Sequence, residues 1–188
     1  MPERTQIVCL HEGRQGRSID EIFINCLLRE LNPVWLRPWK GSNIVRLVAA
    51  GGRAELVKKM PGELKVCLGQ GADTTLIVCA DLDHDMQNAE QLKNVFWAAA
   101  QKAGIEREEF DRVVFAFAKD RIENWIEFLL TGATDELKEG PRQNQERVVA
   151  LAARHLAKRC RSNATEPKLP DSLAWSCRNW RDLVRRMS

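Results

Sequence analysis

The sequence predicts an α/β domain built on a mostly parallel four-stranded sheet with helices on its faces, and three observations carry that expectation. Four short apolar runs, Thr5 to Leu10, Asn43 to Val48, Thr74 to Ala80 and Arg112 to Ala118, are separated by longer segments of helical period. Each run is nearly continuous in hydrophobicity, as a strand is when both of its faces are covered. The length of 188 residues, with 44% hydrophobic and 29% charged side chains, suits one ordinary globular domain that builds its core without staples.

The intervening helices are expected at about 18–31, 52–60, 88–103 and 121–130. Ser18 followed by Glu21, and Asp120 followed by Glu123, both have the spacing of a capping box, in which a side-chain oxygen and a carboxylate satisfy the first free amides of a helix. After Gly140-Pro141 the apolar positions Val148, Leu151, Ala152 and Leu156 fall at helical spacing within 143–161, and a last helix is expected over 171–187. Residues 1–141 therefore read as the α/β core, and 142–188 as a basic helical extension packed on it.

Several classes are set aside by composition. The six cysteines include no CxxC pair and sit mostly in apolar stretches, so reduced core thiols are expected rather than a disulfide frame or a zinc site. The first residues hold neither a signal-peptide core nor a membrane span, and a cytoplasmic protein with no membrane partner is expected. There is no GxxxxGK[ST] motif for an ATPase. The net charge is +3, but residues 142–188 hold 11 Lys and Arg against 4 Asp and Glu, so a basic tail follows an acidic body. That tail suits a polyanion or an acidic partner, and equally a solvated helical face.

The sharpest local feature is the run LIVCADLDHD, an apolar strand that ends in Asp81, Asp83 and Asp85. Alternate residues of an extended chain share a face, so at least the first two carboxylates can converge. Crowded carboxylates favour either a raised pKa or a bound cation, and a hard divalent ion, Mg²⁺ before Mn²⁺, is their natural partner. An EF-hand fails because Met86 and Leu92 stand where the loop needs Gly and Glu. An aspartyl-nucleophile phosphatase remains a competitor, as does an acidic turn capping the helix that starts near Asn88. The first strand also ends acidic, in CLHEG. If the two strands are neighbours, Glu12 joins the aspartates at the carboxyl edge of the sheet, where open parallel sheets bind their ligands.

A strand ending in Glu12-Gly13, followed by a later strand ending in Asp81-Leu82-Asp83, resembles the signature of TOPRIM domains over residues 5–130. The run AKDRIENWIEFLL resembles the Glu-x-Trp segment downstream of the DxD in small TOPRIM-like proteins of bacterial defence and ATPase-linked loci, with Glu123 and Trp125 on the matching positions. The resemblance implies a Rossmann-like TOPRIM fold and Mg²⁺-dependent phosphodiester chemistry on DNA or RNA, in an anti-phage setting with an ATPase partner. It implies Glu12 as metal ligand or general acid/base, Asp81 and Asp83 as metal ligands, and Asp85 as a further one. Lys119, just after the fourth strand, is the candidate to offset phosphate charge. Overcoming-lysogenization-type nucleases usually carry a second acid three residues after Glu-Gly, and this chain has Gly16 there. The chain has no tyrosine, so it holds no topoisomerase-like nucleophile.

Other features have two readings each. His84 and His11 flank the acids and suit proton transfer or plain turn positions. Trp35 and Trp39, with Arg37 and Lys40, suit base stacking, core packing or a partner contact. Gly51-Gly52-Arg53 suits a phosphate contact, and Arg178, Arg181, Arg185 and Arg186, interleaved with Trp175 and Trp180, suit a nucleic-acid backbone or an acidic subunit. The leading expectation is a TOPRIM-like nuclease. Its competitors are a non-catalytic TOPRIM-like subunit of an ATPase complex and a phosphomonoesterase. Homo-oligomerisation is left open.

Overall fold

The computed structural model describes residues 7–14, 16, 18–31, 45–71, 74–162 and 164–186, with the side chains of 161 and 182–186 excepted. Strands β1 (Ile7–His11), β2 (Val45–Ala49), β3 (Thr75–Leu82) and β4 (Val114–Lys119) form one parallel sheet in the order β2-β1-β3-β4. The helices are α1 (Ile19–Leu31), α2 (Arg53–Gln70), α3 (Ala89–Lys102), α4 (Arg107–Phe110), α5 (Ile122–Thr131), α6 (Glu146–Ser162) and α7 (Asp171–Arg186). Trp35, Arg37, Trp39 and Lys40, and the beginnings of the first two expected strands, lie outside the described residues.

Period-two alternation divides the core into two layers. Ile7, Cys9, Ile77, Cys79, Val114 and Ala116 face Phe23, Leu27, Trp125, Val149 and Leu156 of α1, α5 and α6. Val8, Leu10, Val78, Phe115 and Phe117 face Leu56, Met60, Leu92 and Phe96 of α2 and α3. Covering both sheet faces is what makes the strands read as unbroken apolar runs. The basic extension is part of the same body, since Val149, Ala153, Leu173 and Trp180 are buried in the first of these layers.

The short helix α4 was not expected from the sequence, and three further features differ from the expectation. Helix α2 continues through Pro61 to Gln70 instead of ending near 60. A proline inside a helix loses one backbone bond and crowds the preceding turn, but Leu56, Met60, Leu64 and Cys67 sit at helical spacing and are buried, and that burial outweighs the break. The box at Asp120 is not formed, because Arg121 is the N-cap of α5 and makes no side-chain cap bond. The acidic-turn reading of Asp81 to Asp85 also gives way: Asn88 caps α3, its Oδ1 accepting the Gln91 amide at 2.9 Å.

Helix α7 runs along the outer edge of β4. Ser176 Oγ accepts the Phe117 amide at 3.0 Å, Ser172 Oγ accepts the Lys119 amide at 3.1 Å, and Asn179 Nδ2 donates to the Phe115 carbonyl at 2.9 Å. These three residues share one face of the helix and satisfy groups that a further strand would otherwise have paired. Trp175 stacks on Phe117 at 5.3 Å and Trp180 is buried, so both tryptophans of this helix serve packing. Arg178 and Arg181 are exposed, while the side chains of Arg185 and Arg186 lie outside the described ones.

Candidate functional site

The chain leaves β1 for β2 on one side and returns to β3 on the other, so the direction of winding reverses between β1 and β3. The crevice above the carboxyl ends of two such strands is where open α/β sheets collect ligands. Register places His11 opposite Cys79, and the Glu12 amide extends the ladder to the Cys79 carbonyl at 3.2 Å. The next rung is made by a side chain: Glu12 Oε2 accepts the Asp81 amide at 3.0 Å. Glu12 and Asp81, which are 69 residues apart in the chain, are thus joined at the edge of the sheet.

Beside them lies an open cleft of about 720 Å³, lined from two strand ends, three helix starts and the segment before α6 by Asp20, Asp81, Asp83, Asp85, Asp120, Glu123 and Glu139, with Arg53, Arg121 and His84. Glu12, bonded to the Asp81 amide, is not itself among the described residues lining it. Asp20 comes from the first turn of α1 and Glu123 from the first turn of α5. Asp81 is pushed up to about 9, first by burial and then by the charges of Asp20, Glu12, Glu123 and Asp83. Burial likewise raises Glu12, assisted by Asp83 and Asp20 and opposed by the Asp81 amide and Arg53. Asp20 is raised by burial, with His11 opposing and Glu123 adding to the shift. Four carboxylates thus act on Asp81, which keeps its proton at neutral pH in the cation-free chain.

Arg53 is the cation that faces Asp83 and Asp85. Gly51 and Gly52, at φ 81° and 135°, take backbone conformations that side-chained residues avoid, and the Gly51 amide bonds to the Gly13 carbonyl at 3.2 Å. That turn ties the start of α2 to the end of β1. From there the Arg53 guanidinium reaches past β1 to Asp83 Oδ2 at 3.0 Å and Asp85 Oδ2 at 3.2 Å.

The far wall is made by Asp120, which holds a left-handed backbone at φ 64° while its amide donates to the Leu82 carbonyl at 2.8 Å. Its Oδ1 lies 3.4 Å from His84 Nε2, and its Oδ2 lies 3.5 Å from Arg121 Nε. A non-glycine residue in that conformation stores backbone strain, a feature that gathers at functional sites.

No protein-family model and no curated protein matches this chain. The TOPRIM resemblance therefore stands on Glu12-Gly13, Asp81-Leu82-Asp83 and the Glu123-Trp125 segment.

Of the residues expected from sequence, the structure brings together Glu12, Asp81, Asp83 and Asp85, with Glu123 on the opposite side of the cleft and His84 exposed at its rim. Lys119 is placed elsewhere: its Nζ donates to the Met86 carbonyl at 2.8 Å, pinning the loop after β3, and it is not among the described residues lining the cleft. Lys119 follows Ala118 in β4, and alternation points it to the α2 and α3 side. His11 is fully buried and its Nε2 meets Glu21 Oε1 at 2.8 Å, which gives it a fixed place beneath the site. Sequence reasoning undervalued Asp20, Arg53 and Asp120. Acids or arginines in the first turns after parallel strands were the available signal.

Among the described residues, no three His, Cys, Asp or Glu side chains are arranged as a ready-made metal-holding group. Mg²⁺ does not need one, because it is commonly held by one or two carboxylates and keeps several waters. The donors fit such an ion in chemistry and in charge: all are carboxylate oxygens, seven of them line the cleft against two arginines, and Asp81 escapes their field only by staying protonated.

Proposed function

We propose that this chain is a Mg²⁺-dependent phosphodiester hydrolase acting on nucleic acid, with its site at Glu12, Asp81 and Asp83. The observation that carries this reading is the joining of Glu12 to Asp81 at the point where the sheet winding reverses, with Asp81 in the wall of a cleft that holds a large excess of acid. Asp81 and Asp83 would hold the ion with Glu12, and Asp85 would flank it. Bound there, the ion supplies an activated water and offsets the charge of the phosphate oxygens.

The chain's own residues prepare that chemistry. The Asp81 amide fixes the Glu12 carboxylate through one oxygen. Partial burial of Glu12, Asp20 and Asp81 thins the solvent around them and strengthens any charge placed among them. Glu123 and Asp20 close the acidic ring from two helices, and Arg121 is held in the β4–α5 wall by Glu139 at 2.8 Å. A bacterial anti-phage setting and an ATPase partner belong to the resemblance alone.

The test is to incubate the full chain and an Asp81→Asn/Asp83→Asn variant with plasmid DNA, single-stranded DNA and structured RNA, in Mg²⁺, Mn²⁺ or chelator. Metal-dependent cleavage by the wild type and none by the folded variant is expected. Cleavage of simple phosphate monoesters in place of nucleic acid would move the reading to a phosphatase. One observation favours a second reading, that of a non-catalytic binding subunit: Arg53 already neutralises Asp83 and Asp85, so the acids can stand folded without a metal. That reading expects binding of a partner with no turnover under any metal.

A further inference from the structure

Arg53 occupies the place a cation would take. Its guanidinium lies 3.0 Å from Asp83 and 3.2 Å from Asp85, and its charge also acts on Glu12, opposing the upward shift that burial imposes there. Three of the four candidate metal ligands therefore share this one resident positive charge. The arrangement is built by the fold rather than by a flexible side chain meeting a chance neighbour. Strand order puts β2 and β3 on either side of β1, roughly 10 Å apart at about 4.8 Å per strand. The Gly51–Gly13 bond and the two left-handed glycines set the start of α2 so that an arginine spans that gap.

We propose that Arg53 is a built-in counter-ion that a divalent cation must displace from Asp83 and Asp85, so that it sets the metal concentration at which the site fills. This rests on the cation-binding reading above. Two positive groups on the same carboxylates repel one another, so metal binding and the Arg53 pairs compete. Asp83 and Asp85 are half-exposed or more, at 52% and 61%, which keeps the pairs weak enough to be displaced. The released guanidinium stays beside the filled site, free to meet an anionic ligand. A residue that merely supported the cleft would, on removal, weaken metal binding; a competing counter-ion does the opposite.

The experiment is a calorimetric titration of Mn²⁺ into the full chain as wild type, Arg53→Ala, Arg53→Lys and Asp81→Asn/Asp83→Asn, each checked for folding by circular dichroism. Arg53→Ala is expected to bind Mn²⁺ about 2- to 10-fold more tightly than wild type, the range that one or two partly exposed ion pairs supply. Arg53→Lys, which keeps the charge, should fall between the two, and the double variant should lose the site. Unchanged or weaker binding by Arg53→Ala, with wild-type binding that the double variant abolishes, overturns the counter-ion role and leaves the cation site standing. No Mn²⁺ binding by either the wild type or Arg53→Ala overturns both, whereas binding by Arg53→Ala alone supports the counter-ion role.

Discussion

The carboxylate of Glu12 accepts the backbone amide of Asp81 at 3.0 Å, so a side chain supplies the last rung between the two central strands. The bond explains how Glu12 stays at the sheet edge among other acids: an amide partner opposes the effect of burial and of Asp83. It also places the neighbouring Asp81 carboxyl where Asp20, Glu12, Glu123 and Asp83 all act on it.

The pH dependence of stability follows from Asp81. Its folded pKa of about 9 lies above the ordinary aspartate value of 3.8, so between those values the native chain holds a proton that the unfolded chain has lost. Stability from this group is therefore complete below about pH 4 and is lost as pH rises towards about 9. In the cation-free protein, Asp81→Asn should remove that loss and raise stability near pH 7 by about 1–3 kcal/mol while flattening its decline with pH. Urea melts across the range check it, and a variant less stable than wild type at pH 7 would contradict it. Divalent-cation affinity of the wild type should rise with pH over the same window.

The cover on β4 predicts a cost far from the cleft. Ser176→Ala strips the Phe117 amide of its partner inside a buried contact, which should cost about 1–3 kcal/mol in a denaturant melt. Truncation before α7 should go further and expose the β4 edge to pairing with other chains, read as self-association in sedimentation.

Gly140 is required by contact rather than by its backbone angle. A Cβ there would meet Asn124 Oδ1 at 2.1 Å and the Asn124 amide at 2.9 Å, where Asn124 also ties the carbonyls of Lys119 and Lys138 together. Gly140→Ala should therefore lower stability by about 2 kcal/mol or more, in the range of overpacked cores. An unchanged melting temperature would show that the segment yields freely.

Much of this was legible before the structure, for identifiable reasons. The four strands announce themselves because two covered faces demand unbroken apolar runs, and Asp81 and Asp83 stand out because acids rarely end such a run. Glu12 could be joined to them only on the condition that their strands are neighbours, and the pairing of β1 with β3 meets it. Arg53 was visible as Gly-Gly-Arg, but its reach to Asp83 depends on strand order, which no local pattern encodes. Lys119 was misplaced because adjacency in sequence to the end of β4 says nothing about which sheet face a side chain takes. Ser172 read as a candidate cap, and Ser176 and Asn179 carried no signal of their own; their partners are main-chain groups more than 50 residues away.

The most direct test of the central claim is the rate of single-turnover cleavage of a labelled nucleic acid over a Mg²⁺ titration, for wild type and Glu12→Gln. The glutamine keeps an oxygen for the Asp81 amide but loses the charge, so the fold should survive. Saturable Mg²⁺ dependence in the wild type, abolished by chelator and reduced at least about 100-fold in Glu12→Gln, is the expected result. Cleavage that persists in chelator, cleavage undiminished in Glu12→Gln, or no cleavage by the wild type at any Mg²⁺ concentration would contradict it.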